Sequence, residues 1–314
     1  MLTKNVQRLH HFLSIAEHGS ISRAAQSLGM SQPALSKSLQ WLERAMAVQL
    51  VERSAYGIVL TVFGESLAAH ARSIFAQVGR ANDDIAALRG IHRGHVRVGA
   101  GPSIVATVLP HAIEAFTAAH RKVRINVLEG LVDDLLGALR AAKIDIAIVS
   151  QTQSIQNENI VCLPVMRDNL VVVAGRKHPL ASKKRSTLEE LSKHNWVLPT
   201  IGEPVRQRFD LEFTSAGIDP PVADIETTSA ICMTALLQDG HYLTWVPQVL
   251  VESQLAQGKL VRIEVPATAW SRQLYICHNP SAMISPACSA FLVELKRTFV
   301  WFEKNQSSKT RIYR

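Results

Sequence analysis

The side chains best suited to reading a polar partner crowd into one stretch, SISRAAQSLGMSQPALSKSLQWLER, residues 20–44. Gln32, Ser36 and Gln40 recur every fourth residue and so share one face of a helix, with Lys37 beside them. Glutamine presents a donor and an acceptor together, serine a hydroxyl, and lysine a charge that reaches guanine or phosphate. Short polar groups on the first turns of a helix are what insertion into a DNA major groove requires. Gln32, Ser36, Lys37 and Gln40 are therefore expected at base edges and in the groove. Ser31 and Arg53 are expected at phosphates, and Pro33 just inside the helix start. The plainer reading is a solvated face of a three-helix unit.

A second set is spread along the chain. Ser103, Thr200, Thr227 and Thr228 each follow a strand-like run and stand at or near a helix start. Hydroxyls and free N–H groups at helix N-termini suit a carboxylate or another small anion, although each residue alone could be only a cap. Trp245 could line such a site or fill a core.

Enzyme chemistry finds little support. GAGPS, residues 99–103, lacks the third glycine of a dinucleotide loop, no GxSxG surrounds Ser103, and the twelve histidines form no HExxH pattern. The four cysteines, Cys162, Cys232, Cys277 and Cys288, show neither CxxC pairs nor zinc spacing. They are expected to be thiols packed as small hydrophobes, with no metal and no cofactor. The N-terminus MLTKNVQRLHHFL reads as no export signal, which argues against a periplasmic solute-binding protein. No run approaches the ~20 apolar residues of a membrane span, so a cytoplasmic location is expected.

The net charge is +8, and residues 1–60 carry six Lys/Arg against three Asp/Glu, a balance that fits a polyanionic partner. The basic run at 176–185 reads as a solvated turn. Leu9, Phe12, Leu13 and Ala16 mark a first helix. Ser20 caps a second with Ala24, Ala25 and Leu28 inside, Gly29 turns the chain, and Ser31 caps a third that buries Leu35, Leu39 and Leu42. LVERSAYGIVLTVFG reads as a two-stranded wing turning at Ala55, Tyr56 and Gly57. Phe63, Leu67, Ala71, Ile74, Val78, Ala81, Ile85 and Leu88 form one apolar seam along a long helix, which asks for a second copy of itself. From Gly94 strands and helices alternate: HVRVGAG, a helix from Ser103 to His120, VRINVLEG, LVDDLLGALRAAKI and DIAIV. A second α/β set starts near Leu163, where LVVVAG, WVLPT and TSAICMTALLQDG repeat the alternation, and the tail from Gln273 returns to the first lobe.

With these motifs in place, FLSIAEHGSISRAAQSLGMSQPALSKSLQWLE followed by LVERSAYGIVLTVFGE resembles the winged helix-turn-helix of the LysR-type transcriptional regulators. AGPS, VVVAGRKHPLA and LLQDGHYLTWVP resemble that family's two-lobed effector domain, akin to type 2 periplasmic binding proteins. The resemblance implies an α/β protein overall, divided into a DNA-binding domain (1–62), a dimerisation helix (63–90), lobe 1 (91–163 with 267–303), lobe 2 (164–266) and a basic tail (304–314). It implies ligand contacts at Ser103, Thr200 and Thr228. As partners it implies promoter DNA, further copies in a dimer or tetramer, a small organic anion and RNA polymerase. Two departures stand out. Ala55 and Tyr56 occupy the wing where the family usually adds a basic residue, and Tyr242 replaces a common glycine, which would reshape that side of the cleft.

Overall fold

The computed structural model describes residues 5–54, 57–88, 94–150, 160–238, 240–266, 270–279 and 285–310. The chain divides into two compact units, Met1–Ile91 with Gly137–Lys143, and His92–Leu136 with Ile144–Arg314.

The first unit opens with α1 (Val6–His18), α2 (Ile21–Ser27) and α3 (Gln32–Met46). Each boundary has a local cause. Gly19 ends α1 in the left-handed region, at φ 59°; Ser20 Oγ caps α2 by accepting from Arg23 N; Ser31 Oγ caps α3 by accepting from Ala34 N. Leu9, Phe12, Ile15, Ala24, Ala25, Leu35, Leu39 and Leu42 are buried together. The strands β1 (Val51–Ser54) and β2 (Gly57–Leu60) pair antiparallel from Val51↔Leu60 to Ser54↔Gly57. The expected turn residues Ala55 and Tyr56 lie outside the described residues. Gly57 must be glycine: φ is 123°, and a Cβ there would come 2.6 Å from Gly19 O, the atom that accepts from Ile58 N at 2.9 Å.

The helix α4 (Val62–Leu88) divides the expected seam. Leu67, Ala68 and Ala71 are buried in the three-helix core and Phe75 packs on it, whereas Phe63, Ile74, Val78 and Ile85 are exposed. The helix simply outruns that core after Phe75.

After α4 the elements are β3 (His95–Ala100), α5 (Pro102–Val105), α6 (Val108–Ala119), β4 (Arg124–Glu129), α7 (Val132–Arg140), β5 (Ile146–Ser150), β6 (Val161–Gly175), α8 (Leu188–Leu191), β7 (Asn195–Leu198), α9 (Pro204–Ser215), β8 (Ile225–Glu226), α10 (Ala230–Leu237), β9 (Tyr242–Pro247), α11 (Gln248–Ala256), β10 (Leu260–Ile263), β11 (Trp270–His278) and α12 (Pro286–Thr310), all in the second unit except α7 from Gly137 on. Strands run β4-β3-β5-β11-β6-β9-β7-β8, with β10 also on β6. β3 is parallel to β4 and β5, while β6 and β11 run antiparallel along their length and join the two halves.

One core lies among β3, β5, α6 and α12, around Val98, Ile148, Phe116, Phe291 and Phe299. β6 is covered on both faces beyond Asp168: Leu170, Val172 and Ala174 face Trp196, Phe209 and Trp245, and Val171 and Val173 face Met233, Leu237 and Val251. Each buried tryptophan removes roughly 200 Å² from water, about 5 kcal/mol as an upper bound.

Three expectations are corrected. The helix from Ser103 to His120 is two helices, broken at Ala106 and Thr107, where Thr107 Oγ1 turns back to donate to Ser103 O. The strand at LVVVAG begins nine residues earlier, at Val161. Cys162 and Cys277 are not free thiols: they face each other in register across β6 and β11 and form a disulfide, a pairing that their separation of 115 residues hides in the sequence. Cys232 is an exposed thiol and Cys288 a buried one. Among the described residues no helix is long and apolar enough to cross a membrane, and no His, Cys, Asp or Glu group could hold a metal.

Candidate functional site

The polar stretch forms one outward face of α3. Ser31, Gln32, Pro33, Lys37 and Gln40 are exposed and Ser36 half-buried, while Leu35, Ser38, Leu39 and Leu42 point inward. Gln32 is not a loose side chain. Ser22 Oγ, on α2, donates to Gln32 Oε1 at 3.0 Å, which fixes the amide's orientation and leaves its NH₂ to donate outward. Ser22 was missed in the sequence because it sits on a different helix from the residue it serves. Ser31 Oγ is engaged in the cap, so only its hydroxyl proton is left for a phosphate. Gln40 Oε1 accepts from Arg44 at 3.5 Å. Arg53 is on β1 opposite Ile58, and its side chain lies outside the described residues.

The second site is a cavity of about 90 Å³, space for on the order of six waters. Ser103, Thr227, Thr228 and Trp245 line it together with Glu203 and Arg272. Thr200 does not; its carbonyl accepts from Glu203 N at 3.3 Å instead. Tyr242 is also absent from the lining and packs against the Val171 and Val173 side of β6, so the glycine departure does not reshape this cavity. Trp245 serves as both core and wall. Thr227 Oγ1 accepts from Ser229 N, and Ser229 caps α10, so the Thr227 hydroxyl proton is left to donate to another acceptor.

Beneath the hydroxyls lies an ion pair. Arg272 on β11 and Asp168 on β6 are register partners; Arg272 Nη2 donates to Asp168 Oδ2 at 3.0 Å and to Ser103 Oγ at 2.7 Å. The Asp168 side chain is fully buried and that of Arg272 is 11% exposed. Arg272 Nε is a buried donor with no partner among the described residues. Burial first, then Asp133 and Asp134, raise the pKa of Glu203, opposed by Arg272. Arg272, Asp168 and Glu203 were absent from the sequence reading. For Asp168 and Arg272 the one signal was an ionisable residue inside an apolar strand, as in MRDNLVVV and SRQLYIC; Glu203, at the N-cap of α9, had none.

Comparison with known proteins agrees with this geometry. Residues 6–65 match the family model of the bacterial regulatory helix-turn-helix protein, lysR family, and residues 89–300 match that of the LysR substrate binding domain. The HTH-type transcriptional regulator GalR of Pseudomonas putida is 29% identical over 291 residues, spanning 93% of this chain and 73% of that protein. The HTH-type transcriptional regulator CfxR of Cupriavidus necator is 27% identical over 301 residues, spanning 94% and 93%. In fold the chain is similar to full-length CbnR complexed with its target DNA, at a TM-score of 0.66 and 22% identity over 94% of this chain and 99% of that one. A full-length OxyR variant from Pseudomonas aeruginosa gives the same score and identity over 94% of each chain. With residues 6–65 and 89–300 matched by the two models, the chain belongs to the LysR family of DNA-binding transcriptional regulators.

Proposed function

We propose that this regulator acts in the cytoplasm as a dimer, or a dimer of dimers, that grips and bends promoter DNA and answers to a small organic acid bound in the cavity. The observation that carries the DNA part is the exposed face of Gln32, Ser36, Lys37 and Gln40, with Gln32 held by Ser22. An oriented amide loses less entropy on pairing with a base edge than a free one. Phe63, Ile74, Val78 and Ile85 on α4 support self-association, since a two-fold pair would place two reading helices on successive major-groove faces. RNA polymerase is the further partner expected at a promoter.

For the acid, Ser103 and Thr227 retain hydroxyl protons, and Arg272 Nε is a buried donor in need of an acceptor. A ligand shifts the protein only through its differential affinity for two arrangements, so occupancy must alter how subunits pack and hence the spacing of paired reading helices.

The test is a titration of fluorescent duplex from upstream of the protein's own gene, against a scrambled duplex, at several salt concentrations. Tighter binding to the native duplex with a steep salt slope supports the reading. Equal, weak binding to every genomic fragment tried, with and without candidate acids, overturns it.

A further inference from the structure

We infer that the effector carries a protonated amine besides its acid group, so that it enters as an amino acid whose ammonium pairs with Glu203; this rests on the cavity being the effector site. Among the described lining residues the charged side chains are Arg272 and Glu203. The charge of Arg272 is already met by Asp168 at 3.0 Å from beneath. Arg272 can therefore orient a ligand acceptor through its remaining donor but brings no surplus positive charge. Glu203 has no such counterpart. It stands at the N-cap of α9 without capping it, and its carboxylate has no ion pair among the described residues.

The surroundings make matters worse for a plain anion. Asp133 and Asp134, on the first turn of α7, act on Glu203 with the same sign. A carboxylate ligand alone would bring a further negative charge beside these groups and strip water from Glu203 with nothing in exchange. An ammonium reverses both effects: it neutralises Glu203 and donates to it, while the ligand's own carboxylate meets the hydroxyls of Ser103 and Thr227 and the donor on Arg272. The lining thus offers an acceptor in Glu203 and donors in Ser103, Thr227 and Arg272, one kind for each end of a small zwitterion.

The experiment is isothermal titration of the full chain with 3-aminopropanoate, 4-aminobutyrate and 5-aminopentanoate, each beside its deaminated counterpart, propanoate, butyrate or pentanoate. At least one amino acid should bind about tenfold tighter than its counterpart, the scale of a hydrogen bond to a charged partner. Glu203→Gln, nearly isosteric and removing no cap, should erase that preference. Deaminated acids binding as well or better, a preference that survives Glu203→Gln, or no binding by any of the six overturns the inference. Thr228→Trp, at an exposed cavity-lining position, separates this failure from that of the site itself. Acid binding abolished by Thr228→Trp keeps the cavity and discards the amine; acid binding indifferent to it discards the cavity as well.

Discussion

Removing the carboxylate of Asp168 should cost more than any surface ion pair could. Asp168 is fully buried, and its partner Arg272 is held between it and Ser103. Asp168→Ala leaves a guanidinium in a nearly dry site with the Ser103 oxygen as its remaining acceptor among the described residues. Breaking a buried pair from one side costs about 3–5 kcal/mol, against ~0–1 kcal/mol for an exposed pair. Replacing both charges, in Asp168→Ala with Arg272→Met, should recover most of that loss, because no uncompensated charge remains. The double-mutant cycle should therefore give a coupling of about 2 kcal/mol or more. Urea unfolding followed by tryptophan fluorescence in a Trp41→Phe background measures it, since Trp41 is the sole tryptophan of the first unit and Trp196 and Trp245 are buried in the second. A single mutant within about 1 kcal/mol of the parent, or additive changes in the cycle, would show that water or relaxation screens the pair, and the argument for a neutralised cavity floor would fail with it.

Gln32→Ala should cost about 1–3 kcal/mol on the native duplex and relax sequence preference, with Ser22→Ala moving the same way by less, whereas Arg53→Ala should weaken all duplexes alike and flatten the salt slope by ~0.9; anisotropy titrations separate these, and unchanged discrimination in Gln32→Ala would refute its assignment. Val78→Glu, at an exposed position of α4, should shift sedimentation toward monomer at an unchanged melting temperature; an intact dimer would place the contact elsewhere. His178 is buried, its Nδ1 accepts from Leu180 N at 3.1 Å, and burial together with His194 and His241 lowers its pKa from 6.5 to about 4. Because the folded pKa lies below the unfolded one, the unfolded chain binds the extra proton between these values, and stability falls as pH drops through 6.5 toward 4. The loss from this residue between pH 7 and pH 5 is at most about 2 kcal/mol, and His178→Gln should reduce the pH dependence of the urea midpoint.

What the sequence determined by itself was whatever rests on short-range periodicity and local caps. The helix-turn-helix was legible because Ser20, Gly29 and Ser31 set boundaries through hydrogen bonds and φ values within a few residues, and because Leu35, Leu39 and Leu42 at helical spacing leave Gln32, Ser36 and Gln40 outside. The hydroxyls Ser103, Thr227 and Thr228 were visible for the same reason, as residues near helix starts. Tertiary structure decided everything that depends on which distant segments meet. It placed Thr200 outside the cavity, divided the α4 seam at the point where the helix leaves its core, and joined Cys162 to Cys277. It also set Arg272 over Asp168, 104 residues away in the chain, beneath Ser103. The charge of the cavity follows from those pairings, because a buried charge is defined by its counter-ion, and strand register across β6 and β11, unlike a helical period, is written in no local window of the sequence.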